Sequence, residues 1–158
     1  MEFDALMQGV AAKVGLTGFQ PGDDGVYAVE IDGMVVRFVE DAEARQIVTL
    51  AEVGESPAEG RERLYRVLLE AAYMGQATGG ANFAVDSETG NIQLSRTDPL
   101  PLMDVESFMA KMDRFVNVLE RWRGLLDNFS EVAPQIAKTE AAADEEARQF
   151  GSSGFLQV

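Results

Sequence analysis

Apolar residues open the chain at Phe3, Leu6, Met7, Val10 and Val14. This i, i+3, i+4, i+7, i+11 spacing draws one stripe on an amphipathic helix. Gly15 follows at once and suits a left-handed C-cap, so the spacing predicts a helix ending near Lys13–Gly15. A loop of turn formers (Gly18, Pro21 to Gly25) leads into two β-rich runs, Val26–Ile31 and Met34–Glu40, which flank Asp32-Gly33. Asp-Gly between such runs signals a two-residue hairpin, because both central residues of a type I′ turn need positive φ. That loop fixes the register: Ile31 opposes Met34, Val29 opposes Val36, and Tyr27 opposes Phe38, all on one face. The reverse face carries Val26, Ala28 and Glu30 against Val35, Arg37 and Val39, and is only half polar.

After an acidic turn (Asp41 to Glu43), the β-branched run Arg45–Val53 predicts a third strand. Ser56-Pro57-Ala58-Glu59 reads as a helix start, with Ser56 as cap, Pro57 in the first position and Glu59 reaching back. Leu64, Val67, Leu68 and Ala71 form its buried stripe. Glu59/Arg63 and Glu62/Arg66 are spaced as i,i+4 pairs, and the helix should stop near Met74-Gly75. Ala81–Val85 and Asn91–Thr97, joined through Asp86 to Gly90, make a second hairpin. Pro99 and Pro101 break the chain, and Asp104 caps a last helix bearing Phe108, Met112, Phe115, Leu119, Trp122 and Leu126. From about Ser130 large apolar groups become sparse. The expected architecture is α+β, an antiparallel sheet with three helices in the order α-β-β-β-α-β-β-α. It would occupy residues 1–128, with an acidic, Ala-rich flexible tail over 129–158.

Composition narrows the chemistry. The 158 residues suffice for one domain, and 46% of them are hydrophobic, enough for a core. Acids outnumber bases by 27 to 13, a net charge of −14, which disfavours nucleic acid and anionic membrane surfaces alike. Cysteine and histidine are both absent. That removes disulfides, thiolate nucleophiles, the usual zinc ligands and histidine bases. No stretch approaches the roughly 20 apolar residues of a membrane span, so a cytosolic protein is expected. Gly75 to Gly80 superficially fits a phosphate loop but lacks its lysine and leads from helix to strand, so a turn is expected. Asp86 to Asn91 spaces oxygens like a calcium loop, yet position twelve is Thr97, and a hairpin tip is the simpler reading. Trp122 and the methionines suit core filling. No catalytic site and no cofactor are expected. The half-apolar reverse face of the first hairpin instead favours a binding module.

The order of elements resembles the class I type III secretion chaperones, the Tir chaperone family. The resemblance is carried by the first helix ending Val14-Gly15-Leu16, the Asp32-Gly33 hairpin, and the helix Leu64–Met74 running into Gly79-Gly80. Further on it is carried by Asp86-x-Glu88-Thr89-Gly90 followed by Ile92-x-Leu94, by Leu100-Pro101-Leu102, and by the helix with Phe115 and Trp122. It implies a homodimer of the bacterial cytoplasm that holds the N-terminal segment of a secreted effector extended and secretion-competent. Such a dimer would deliver that segment to the export machinery, with the export ATPase as a further partner. It also implies a client groove at Leu6, Val10, Val26, Val35, Val39 and Val48, and a dimer interface at Leu64, Leu68, Ala71, Ala72, Phe83 and Val85. A regulatory or sensory binding module on the same fold is the alternative. A carboxylate-dependent enzyme or metal binder is the third reading.

Overall fold

A computed structural model describes the backbone of residues 2–152 and the side chains of residues 2–130 and Glu145. Its elements follow in the order α1 (Phe3–Val14), β1 (Tyr27–Ile31), β2 (Met34–Asp41), β3 (Gln46–Glu55), α2 (Arg61–Ala72), β4 (Asn82–Val85), β5 (Asn91–Pro99) and α3 (Val105–Ser152). Short 3₁₀ turns at Tyr73–Gly75 and Leu100–Leu102 complete the set. The strands form one antiparallel sheet in the order β1-β2-β3-β5-β4. Gly15 ends α1 in the left-handed conformation (φ 75°). Asp32 and Gly33 take φ of 50° and 75°, the pair of positive values a type I′ turn requires. The register follows: Tyr27 opposes Phe38, Val29 opposes Val36, and Ile31 opposes Met34.

Alternation sorts the sheet into two faces. Tyr27, Val36, Phe38, Ile47, Ala51, Val53, Ile92 and Leu94 point to the helix side and are buried. There they meet Phe3, Leu6 and Met7 of α1, Leu64 and Leu68 of α2, and Phe108, Phe115, Leu119, Trp122 and Leu126 of α3. Edge-on aromatic pairs lock the layers together: Phe3 on Tyr27 at 5.5 Å, Phe38 on Phe108 at 5.7 Å, and Phe83 on Trp122 at 5.0 Å. α1 and α3 approach closely at Gly9, where an added Cβ would lie 2.6 Å from Val105 Cγ2. That contact explains a glycine inside a helix, where it otherwise costs about 1 kcal/mol.

Two expectations are corrected. Ser56 does not cap α2; the helix begins at Arg61 after Gly60, with no side-chain cap. The Ser56 hydroxyl instead donates to the Gly90 carbonyl at 2.7 Å and shares a 2.8 Å hydrogen bond with the Tyr65 hydroxyl. It thereby ties the end of β3 to the tip of the second hairpin. Arg66 pairs with Glu70 at 2.9 Å, one turn later than the expected Glu62. The last helix continues past residue 128. Its backbone runs to Ser152 through a segment rich in Ala and Glu, both strong helix formers. The side chains of 131–144 and 146–152, and residues 153–158, on which the expected tail character rests, lie outside the described residues.

The remaining turns behave as the plain readings expected. The Glu88 and Thr89 amides donate to Asp86 Oδ1 at 2.8 and 3.4 Å, closing the hairpin tip. Those bonds hold the Asp86 carboxyl below the usual carboxylate range. In the Gly75–Gly80 turn, the Ala77 carbonyl accepts from Trp122 Nε1 at 3.2 Å and the Gly79 carbonyl from Arg96 at 3.1 Å.

Arg96 also grips Asp98 with two hydrogen bonds, at 2.8 and 3.2 Å, and Lys111 of α3 adds a third at 2.8 Å. Asp98 is 4% exposed. Burial works against its ionisation, but Arg96 and Lys111 outweigh burial and hold its carboxyl below the usual range. A depressed folded-state value stabilises above the unfolded value of about 4 and is lost as pH falls through it. Asp98→Asn should therefore cost about 3 kcal/mol at neutral pH, because it strands two cations. The deficit should shrink below about pH 4, read as thermal midpoint against pH for both proteins. A deficit constant with pH would show that the ion cluster carries none of it.

Candidate binding cleft and exposed helix face

Two surfaces stand out, both apolar and neither covered by a described element. The first is a cleft of about 390 Å³ between α1, the loop after it, β1 and α3. Val10 and Val14 reach it from α1, because they continue the stripe of Phe3 and Leu6 past the edge of the sheet. Leu16 and Phe19 come from the loop. Gln8 Nε2 donates to the Phe19 carbonyl at 2.7 Å, and the Phe19 ring packs on Tyr27 at 5.0 Å. Tyr27 in turn donates from its hydroxyl to Asp4 at 3.0 Å, and burial together with Asp4 pushes its pKa up. Val29 and Ile31 form the strand wall, and Met109 and Met112 form the α3 wall. Val14 and Leu16 remain 52% and 41% exposed.

Along this cleft runs the free edge of the sheet, since β1 pairs with β2 alone. A two-residue hairpin makes its closing pair a hydrogen-bonded one, and pairs alternate from there. Ile31, Val29 and Tyr27 therefore direct their amides and carbonyls to β2. Ala28 and Glu30 direct theirs outward, unpaired. An extended chain laid on that edge would gain a backbone ladder and send alternate side chains into the cleft.

The second surface is the outer side of α2. Leu69, Tyr73 and Met74 are 70%, 77% and 74% exposed. Met74 has a positive φ of 59°, which turns the chain sharply where α2 ends.

The expected groove divides in two. Val10 lies in the cleft. Leu6, on the same stripe, is fully buried in the core and can meet no client. Val26, Val35, Val39 and Val48 fall on the opposite face of the sheet, away from α1, because side chains alternate along a strand. The expected interface is likewise split. Leu64 and Leu68 are 3% and 4% exposed and face the core. Ala71, Ala72 and Phe83 are half-buried, and Val85 is exposed. The exposed α2 residues were legible as a separate stripe, Tyr65, Leu69 and Tyr73 at fourfold spacing, one position beyond the Leu64–Leu68 pair. A parallel signal marked the cleft wall, where Val105, Met109, Met112 and Val116 flank the Phe108–Leu119 stripe.

A single sheet layered on three helices, with an open edge beside an apolar cleft, offers the surfaces by which a protein binds other chains. The profile of the Tir chaperone protein (CesT) family matches residues 5–123. The chain belongs to that family and is a type III secretion chaperone. No curated protein matches the sequence. Solved structures share the fold at low identity. A chain of the ExsC–ExsE complex is 22% identical, with a TM-score of 0.68, covering 80% of this chain and 97% of that one. A chain of the HopA1–SchA chaperone–effector complex is 15% identical, with a TM-score of 0.66 and coverage of 77% and 93%. The Yersinia pestis type III secretion chaperone SycH, solved with a fragment of YscM2, is 19% identical at a TM-score of 0.61, with coverage of 77% and 99%. No described helix is long and apolar enough to cross a membrane.

Proposed function

We propose that the protein works as a homodimer in the bacterial cytoplasm. It takes up the N-terminal segment of a secreted effector as an added strand on β1, and keeps that segment extended for export. The observation that carries this reading is the unpaired edge of Ala28 and Glu30 lying against the apolar cleft. Backbone hydrogen bonds then supply sequence-tolerant affinity, and the cleft selects apolar residues at every second position. The second exposed surface, Leu69 on α2 with Tyr73 and Met74 in the 3₁₀ turn after it, joins the two subunits in place of the buried Leu64 and Leu68. Complexes of similar fold pair chaperones with their effectors, such as HopA1 with SchA, which supports a secreted client for this chain. The client would be handed to the export ATPase by the dimer.

Ala28→Pro tests the strand. Proline removes an outward amide and leaves the β1–β2 ladder whole, so the fold should persist. Affinity for the N-terminal segment of the co-purifying secreted protein should fall at least about tenfold, with the dimer mass unchanged. Unaltered affinity in a titration would place the client elsewhere. Capture through a folded surface rather than that segment would favour a regulatory module.

A further inference from the structure

We propose that the segment accepted by this cleft is basic, with apolar residues alternating with lysine or arginine; the inference rests on the strand-addition reading above. Three acidic residues border the cleft: Glu30 on β1, whose side chain turns to the far face beside Val35, Asp32 in the hairpin turn and Asp113 on α3. All three are exposed, and no lysine or arginine shares the lining with them. The nearby cation of α1, Lys13, is engaged with Glu106 at 3.1 Å.

The placement of these acids follows the geometry of an added strand. The side chains of a guest beside β1 alternate between the cleft and the face that carries Glu30. Residues entering the cleft meet apolar walls. Residues pointing the other way pass Glu30, while Asp32 borders the cleft at the hairpin turn and Asp113 on the α3 side. A guest carboxylate at those positions would face like charge beside a low-dielectric wall, whereas an ammonium or guanidinium would find a partner. The net charge of −14 draws cations from farther off and speeds encounter at low salt. The apolar groove therefore fixes where the segment lies, and the acid rim selects which segments lie there.

The test uses the full chain and three labelled peptides of about ten residues, the length of a long strand. Their valines alternate with lysine, with serine or with glutamate, and binding is read by fluorescence anisotropy. The lysine peptide should bind at least about tenfold tighter than the serine peptide at about 0.05 M salt, and the ratio should collapse at about 0.5 M. Glu30→Gln, Asp32→Asn and Asp113→Asn together should bring the ratio near one without changing serine-peptide affinity. Asn-Gly preserves the turn, so this variant keeps the hairpin. Equal binding of lysine and serine peptides by the wild type overturns the charge selection and leaves strand addition standing. A lysine preference that survives the triple variant overturns it too, by assigning the effect to bulk charge. If none of the three peptides binds, strand addition at this cleft falls with it.

Discussion

Leu69→Asp combined with Tyr73→Ser should convert the protein from a dimer to a monomer without unfolding it. Both side chains are more than two-thirds exposed in the isolated subunit, so neither supports the core. A two-fold interface presents each substitution twice, so four large side chains are lost from the contact. At about 1.5–3 kcal/mol for each buried side chain, the loss amounts to about 6–12 kcal/mol, or at least a ten-thousandfold rise in dissociation constant. Light scattering at micromolar concentration should read a mass near one chain, with the far-ultraviolet circular dichroism unchanged. A variant that stays dimeric would move the interface off α2. Leu68→Asp is a poor probe of the same question. Leu68 is buried under α2, and a charge there would damage the fold whether or not a dimer forms.

Client binding should fail when the mouth of the cleft is made polar. Val14→Asn with Leu16→Asn removes two partly exposed apolar groups, so the free protein loses little. In the complex proposed above those groups would be covered by the guest. Their loss costs about 2–4 kcal/mol of apolar burial and strands two amides, which together weaken binding at least about a hundredfold. Asparagine rather than aspartate keeps the charge of the rim constant. Val35→Asp is the matched control. It puts a charge on the opposite face of the sheet, beside Glu30, so calorimetric affinity for the client segment should not fall. If Val35→Asp abolishes binding and the cleft variant does not, the client lies on the open sheet face.

That control marks where sequence reading reached its limit. The hairpin register, the stripe of α1 and the Asp104 cap, whose Oδ1 accepts from the Ser107 amide at 2.8 Å, were all legible. Each is a local rule acting over a few residues. The expected groove and interface residues are divided between core and separate surfaces for one shared reason. A stripe of apolar residues announces that a helix is buried on one side, yet it does not say whether its own chain or another covers that side. Leu6, Leu64 and Leu68 sat on the strongest stripes and were consumed by the core. Met109 with Met112 was left lining the cleft, and Leu69 with Tyr73 was left exposed. Ser56 shows the same competition between levels. Its position suited a cap, but the Gly90 carbonyl and the Tyr65 hydroxyl took its hydroxyl.

From composition and spacing alone came the α+β class, the two hairpins, the absence of histidine and cysteine chemistry, and the acidity that limits which partners can approach. These follow from period, turn chemistry and charge, which need no knowledge of distant contacts. Tertiary structure decided which sheet face the helices cover, and thus that Val10 and Val35 never share a surface. It also brought Leu16, Val29 and Met112, far apart in the chain, to one cleft beside an unpaired strand. Such juxtaposition depends on how layers stack across the whole domain, and no local pattern encodes it.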